Sequence, residues 1–194
     1  RGRIANELRL AFREENFLEI LQLYKEFKVL EWILPPQFQW SMVQPRKLKR
    51  LKDLLEEFKG EVKYPGWILF SSLLLELPKE TALSVLAQLS APSRVRESYL
   101  QAKEEGGKIV KTLLGAKSPS QLLRELKGYH PEALLMVASR GDRKLENIVR
   151  FYLKEVKPFK VKVDAQKFLK MGLKGKELGE AIEKEKARIL DEAL

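Results

Sequence analysis

The chain of 194 residues contains no cysteine, which excludes disulfides and thiolate metal sites. Histidine occurs once, as His130 before Pro131 in a Gly-Tyr-His-Pro turn. One imidazole at such a turn suits a surface or helix-capping role, and no metal site is expected in the chain. Long hydrophobic runs are also missing. The longest, Trp67 to Leu77, is broken by Ser71, Ser72 and Glu76, and is too short and polar to span a membrane. No signal-peptide pattern stands at the start, so no membrane partner and a cytoplasmic location are expected. Several chemical motifs are absent as well: a Walker loop, a dinucleotide fingerprint, a Gly-x-Ser-x-Gly elbow around Ser71-Ser72, and any Asp-x-Asp pair. Without the last, no local strand motif can hold two metal ions for phosphoryl transfer.

What the chain does have is positive charge. Hydrophobic residues make up 44% and charged residues 33%, which fits a globular protein of one or two domains. The formal net charge is +10 and the pI about 9.6, which favours an anionic partner, most simply RNA or DNA. The excess is concentrated near the C-terminus. Between Arg140 and Gly179 stand 12 lysines and arginines against five acidic residues, Asp142, Glu146, Glu155, Asp164 and Glu177. This stretch ends in Met171-Gly172-Leu173-Lys174-Gly175-Lys176-Glu177-Leu178-Gly179, a pattern that reads helix, short glycine turn, helix. Two glycines let the chain turn sharply, and the second helix begins with N–H groups that suit a phosphate. Lys174 and Lys176 flank Gly175, within reach of one phosphate. The plain alternative is a helical hairpin with solvated lysines.

The rest reads as successive amphipathic helices. Ile4, Leu8, Ala11 and Phe12 share one face; Phe17, Ile20, Leu21, Tyr24 and Phe27 form the next, with Asn16 placed to cap it. Leu30, Trp32, Ile33 and Leu34 then run into Pro35-Pro36, which is expected to end the helix within a segment, Arg1 to Val43, of zero net charge. Pro45 to Lys63 starts with Arg46, Lys47, Lys49, Arg50 and Lys52 and repeats leucine at helical spacing, a secondary set of candidate contacts. Trp67 to Leu77 is expected to be the most buried helix. Gly106-Gly107 is expected to separate a charged helix from Lys108 to Leu114. Ser118-Pro119 starts another helix, Pro131 the next, and Asp142 and Asp164 are placed to cap two more. Tyr152 and Phe159 read as core. The expected fold class is all-α, an elongated helical array with a C-terminal helix–glycine turn–helix.

A family resemblance joins these pieces. Arg3-Ile4, Glu7-Leu8, an amphipathic helix and Leu30-Glu31-Trp32-Ile33-Leu34-Pro35 resemble the neck of class II tRNA nucleotidyltransferases and bacterial poly(A) polymerases. Lys28-Val29 stands where members often carry glycine before the leucine. A Leu-x-x-Leu-Ser sequence before an Arg-rich helix is similar to the family's body, with Gln88 replacing the usual basic residue. In the tail, Val163, Gly172, Gly175, Leu178 and Gly179 match, while Ala165, Lys167 and Phe168 replace a glycine, an aspartate and a leucine. The proline before Gly175 is missing, and Lys176 replaces the one after it. The resemblance implies neck over 1–43, body over 44–128 and a basic, RNA-binding tail over 129–194.

The family's catalytic head carries a Gly-Ser nucleotide motif, an Asp-x-Asp metal pair and a Glu-Asp-x-x-Arg base-reading motif, none of which occurs here. The resemblance therefore implies a chain that is not an enzyme on its own and holds no cofactor. Magnesium and ATP or CTP would belong to a head domain on the same or a separate chain. The implied partner is tRNA, its T-arm and acceptor stem held by shape and backbone contacts. Candidate contacts are Lys170, Lys174, Gly175, Lys176 and Gly179 at the hairpin, and Arg143, Lys144 and Arg150 as a second row. Arg46, Lys47, Lys49 and Arg50 form the secondary set. Two other classes fit the residues: a helical protein-interaction scaffold, and a helix-hairpin-helix module for duplex DNA.

Overall fold

The computed structural model describes residues 2–194, and the described residues contain eleven α-helices and no strand. The all-α expectation holds. The helices fall into two compact units, one of residues 1–109 with 129–142 and one of 110–128 with 143–194.

In the first unit, α1 (Gly2–Ala11) and α4 (Pro65–Leu73) cross closely at Gly66. A Cβ on Gly66 would collide with the Arg9 carbonyl oxygen, so only glycine permits this approach. Phe12 meets Phe70 edge-on with ring centroids 5.8 Å apart, and Trp67 meets Phe70 at 6.0 Å. α2 (Phe17–Glu26) starts after Asn16, but the Asn16 side chain makes no capping hydrogen bond. The helix was expected to run on to Pro35-Pro36, but α2 stops at Glu26, Lys28 turns left-handed at φ 55°, and only a short 3-10 turn over Val29–Trp32 follows before the prolines. α3 (Pro45–Glu57) buries Leu48, Leu51, Leu54 and Leu55. They lie against α4 and against α8 (Pro131–Arg140).

Eight of the nine residues of α4 are buried. It shares its central place with α8, of which Pro131 to Ser139 are all buried. α8 carries Glu132 into the core, fully buried. α5 (Lys79–Gln88) buries Ala82, Val85 and Leu86.

One expectation fails here. Gly106-Gly107 breaks nothing, because α6 runs from Ser93 through Gly115 without interruption. Two glycines cost a helix roughly 2 kcal/mol relative to alanine. Burial of Val95, Tyr99, Ile109 and Leu113 along one face outweighs that cost. A Cβ on Gly106 would rest in ordinary contact with Val137, 3.6 Å away.

The second unit is built from α7 (Pro119–Leu126), α9 (Arg143–Phe151), α10 (Ala165–Lys170) and α11 (Gly175–Ala193). Ser118 caps α7 by accepting from Gln121 N at 3.3 Å. Asp191 near the end of α11 accepts from Ser120 N and Oγ, both at 2.7 Å, which ties α11 to α7. α9 continues into one π-helical turn, Tyr152–Val156, whose Tyr152, Leu153 and Val156 are buried. Tyr152 is core as expected, whereas Phe159 is only half-buried. The segment after Pro158 up to Asp164 has no regular structure.

Candidate nucleic-acid interface

The hairpin forms as the glycines require. Asp164 caps α10 by accepting from Gln166 N at 2.9 Å. The end of α10 closes in a Schellman motif: Leu173 N donates to Phe168 O at 3.3 Å and Gly172 N to Leu169 O at 3.0 Å. Gly172 holds φ +83°, the left-handed region that this motif demands. Lys174 is extended at φ −140°, ψ 159°, and Gly175 opens α11 at φ +55°. No side chain of Lys174 caps the helix, so its first N–H groups face outward without an intrahelical acceptor.

Around this turn Lys170, Lys174, Gly175, Lys176 and Gly179 are all exposed. Lys176 is 91% exposed and reaches Glu180 at 3.7 Å, an ion pair too solvated to hold it in place. Lys170 and Lys174 have no ion-pair partner among the described residues. A Cβ on Gly179 would meet nothing within 4 Å, so the backbone there is open to close approach.

The second row divides. Arg143 and Lys144 are exposed in the first turn of α9. Arg150 is half-buried and lies 3.4 Å from Glu146 Oε2 and 3.5 Å from Asn147 Oδ1 through its Nη1.

The secondary set lies in the first unit and also divides. Arg46 and Lys49 are exposed on α3. Arg50 donates from Nη1 to Gly141 O at 2.8 Å, closing the C-terminal end of α8. Lys47 is partly buried beside Arg140, and burial together with the Arg140 and Arg50 charges pushes its amine below the usual lysine range. Lys52 was counted with this basic run, yet its amine donates to the carbonyl oxygens of Glu14 and of Arg13, the latter at 3.2 Å. It also lies over the Phe17 ring at 4.7 Å. It locks α3 to the end of α1.

One electrostatic feature recurs. Arg46 and Lys47 on α3, Arg143 and Lys144 on α9, and Lys174 and Lys176 on α11 all sit at helix N-termini. A helix N-terminus carries positive potential and disfavours cations, so these six residues are poorly placed for stability and well placed for an anion.

Over 98% of its length the chain is 37% identical to the A-adding tRNA nucleotidyltransferase of Aquifex aeolicus (strain VF5), of which it matches 23%. Nearly its whole length resembles one part of a tRNA nucleotidyltransferase. A solved tRNA-processing enzyme with CTP is 35% identical, with a TM-score of 0.79, and 98% of this chain covers 51% of that one. A CCA-adding enzyme in complex with CTP shares the fold at 20% identity and a TM-score of 0.71, again over 98% of this chain and 46% of the other. No protein-family model matches the sequence. The chain thus spans about a quarter of the Aquifex nucleotidyltransferase and about half of the solved chains. Among the described residues, no helix is long and apolar enough to cross a membrane.

Two features escaped the sequence reading. The role of Arg140 beside Lys47 depends on the packing of α3 on α8, and no local motif announces it. Trp32 is 91% exposed and Phe27 74% exposed. Large aromatics at helical spacing ordinarily signal core, so their exposure had no signal in the sequence.

Proposed function

We propose that the chain is the tRNA-holding part of a tRNA nucleotidyltransferase. The observation that carries this reading is the similarity to the Aquifex enzyme along 98% of the chain. The hairpin supports it: exposed lysines, two glycines in left-handed conformation and an uncapped helix N-terminus converge on one turn. Such a turn contacts phosphates by charge and backbone N–H groups without reading bases, which suits the A-form stem of tRNA. On this reading neck, body and tail run over 1–43, 44–128 and 129–194. Nucleotide addition, with its magnesium and ATP or CTP, belongs to a catalytic head outside the matched region. The exposed Phe27 and Trp32 give that head an apolar surface to cover.

The test is charge reversal at the turn. Lys174→Glu with Lys176→Glu is expected to weaken tRNA binding at least tenfold while the helical circular-dichroism signal stays unchanged. Unaltered affinity would remove the hairpin from the interface.

A further inference from the structure

We propose that Lys47 and Arg140 form a seat for one phosphate group where α3 packs on α8. Lys47 and Arg50 are one turn apart on α3 and face the same way. Arg50 is fixed by its bond to Gly141 O, so Lys47 is brought beside Arg140, the residue before Gly141. Lys47 and Arg140 line one small cleft with Gln44, Ser72 and Ser139.

The charges at this cleft do not balance. Lys47 makes no hydrogen bond or ion pair among the described residues. The charges that act on it are those of Arg140 and Arg50, both cationic. Arg140 pairs with Glu76 through Nη2. A guanidinium has five N–H donors, so the pairing with Glu76 through Nη2 does not use them all, and Arg140 also lines the cleft. Lys47 also stands in the first turn of α3, where the helix dipole adds to the positive potential and no acidic residue offsets it. A partly buried ammonium held next to an arginine, at a helix N-terminus, without a carboxylate, is a site completed by an anion. Two cations match a phosphate; the Ser72 and Ser139 hydroxyls donate to Leu69 O and Met136 O and take no part.

The seat has two possible sources for its ligand, a nucleic-acid phosphate or a free phosphate, and it does not depend on the tRNA reading. Lys47→Met keeps the alkyl stem and removes the charge. In chloride alone the variant is expected to melt at or above the wild-type temperature, because a repulsion is gone. About 10 mM inorganic phosphate, replacing chloride at constant ionic strength, is expected to raise the melting temperature of the wild type and not of Lys47→Met. With tRNA, Lys47→Met is expected to flatten the slope of log affinity against log salt by about one. A flattened slope assigns the seat to the nucleic-acid backbone; a phosphate-dependent melting shift with an unchanged slope assigns it to a free phosphate. A wild-type chain that fails to bind tRNA refutes the nucleotidyltransferase reading and leaves the phosphate arm to decide this one. If melting response and slope are both the same with and without Lys47, or if Lys47→Met is less stable in chloride, the seat does not exist.

Discussion

Arg94 grips Glu132 through two nitrogens, Nη2 at 3.0 Å and Nε at 3.2 Å, and Glu132 is wholly buried. The other carboxylate oxygen accepts from Lys63 N at 2.8 Å. Three segments of the first unit thus meet on one carboxylate: the turn before α4, the start of α6 and the start of α8. A buried ion pair adds little net stability, but losing one partner leaves an uncompensated charge. Arg94→Ala is expected to cost about 3–5 kcal/mol in urea denaturation. A loss well under 1 kcal/mol would mean that the carboxylate is satisfied without the arginine.

Gly179 separates stability from binding. It lies inside α11 with open space where a Cβ would stand. Gly179→Ala is therefore expected to stabilise the chain by roughly 1 kcal/mol. If the RNA backbone approaches this face closely, the same variant binds tRNA several-fold more weakly. Binding that is equal or tighter would show that the RNA does not reach Gly179.

Alkaline pH tests two phenols. Burial and a hydrogen bond to Glu105, at 2.6 Å, push Tyr129 up to about 12, and burial does the same for Tyr99. Both pKa values are raised on folding. The neutral forms stabilise the fold fully below pH 10, and this contribution is lost as pH rises from about 10 to 12. Tyr129→Phe is expected to reduce the steepness of that alkaline decline in melting temperature. An unchanged decline would assign it to other groups.

The chain as it stands is expected not to incorporate ATP or CTP into tRNA. Radiolabel incorporation above background, in the presence of magnesium, would contradict the division of labour proposed for holding and adding.

Local chemistry was the legible part of this sequence. Ser118 and Asp164 cap the helices that follow them, and Gly172 and Gly175 turn the hairpin. Each acts within a few residues of itself, so its role can be read from its neighbours. The misreadings involve distance. Gly106-Gly107 stays helical because packing of the faces on either side outweighs the local preference. Arg50 looked like a free contact, but its acceptor Gly141 is 91 residues away in sequence. Lys52 likewise spends its amine on the end of α1, 38 and 39 residues before it. For the same reason the exposed hairpin lysines were recognisable as a group, whereas the Lys47–Arg140 neighbourhood appears only once α3 rests on α8.

The most direct test of the central claim is binding of this chain to a tRNA lacking its 3′ CCA. A DNA hairpin of equal length serves as comparison, each titrated from about 50 to 200 mM salt. The account predicts tighter binding to the tRNA, with a salt slope corresponding to several phosphate contacts. No binding to tRNA at 50 mM salt, or equal binding to both nucleic acids, would contradict it.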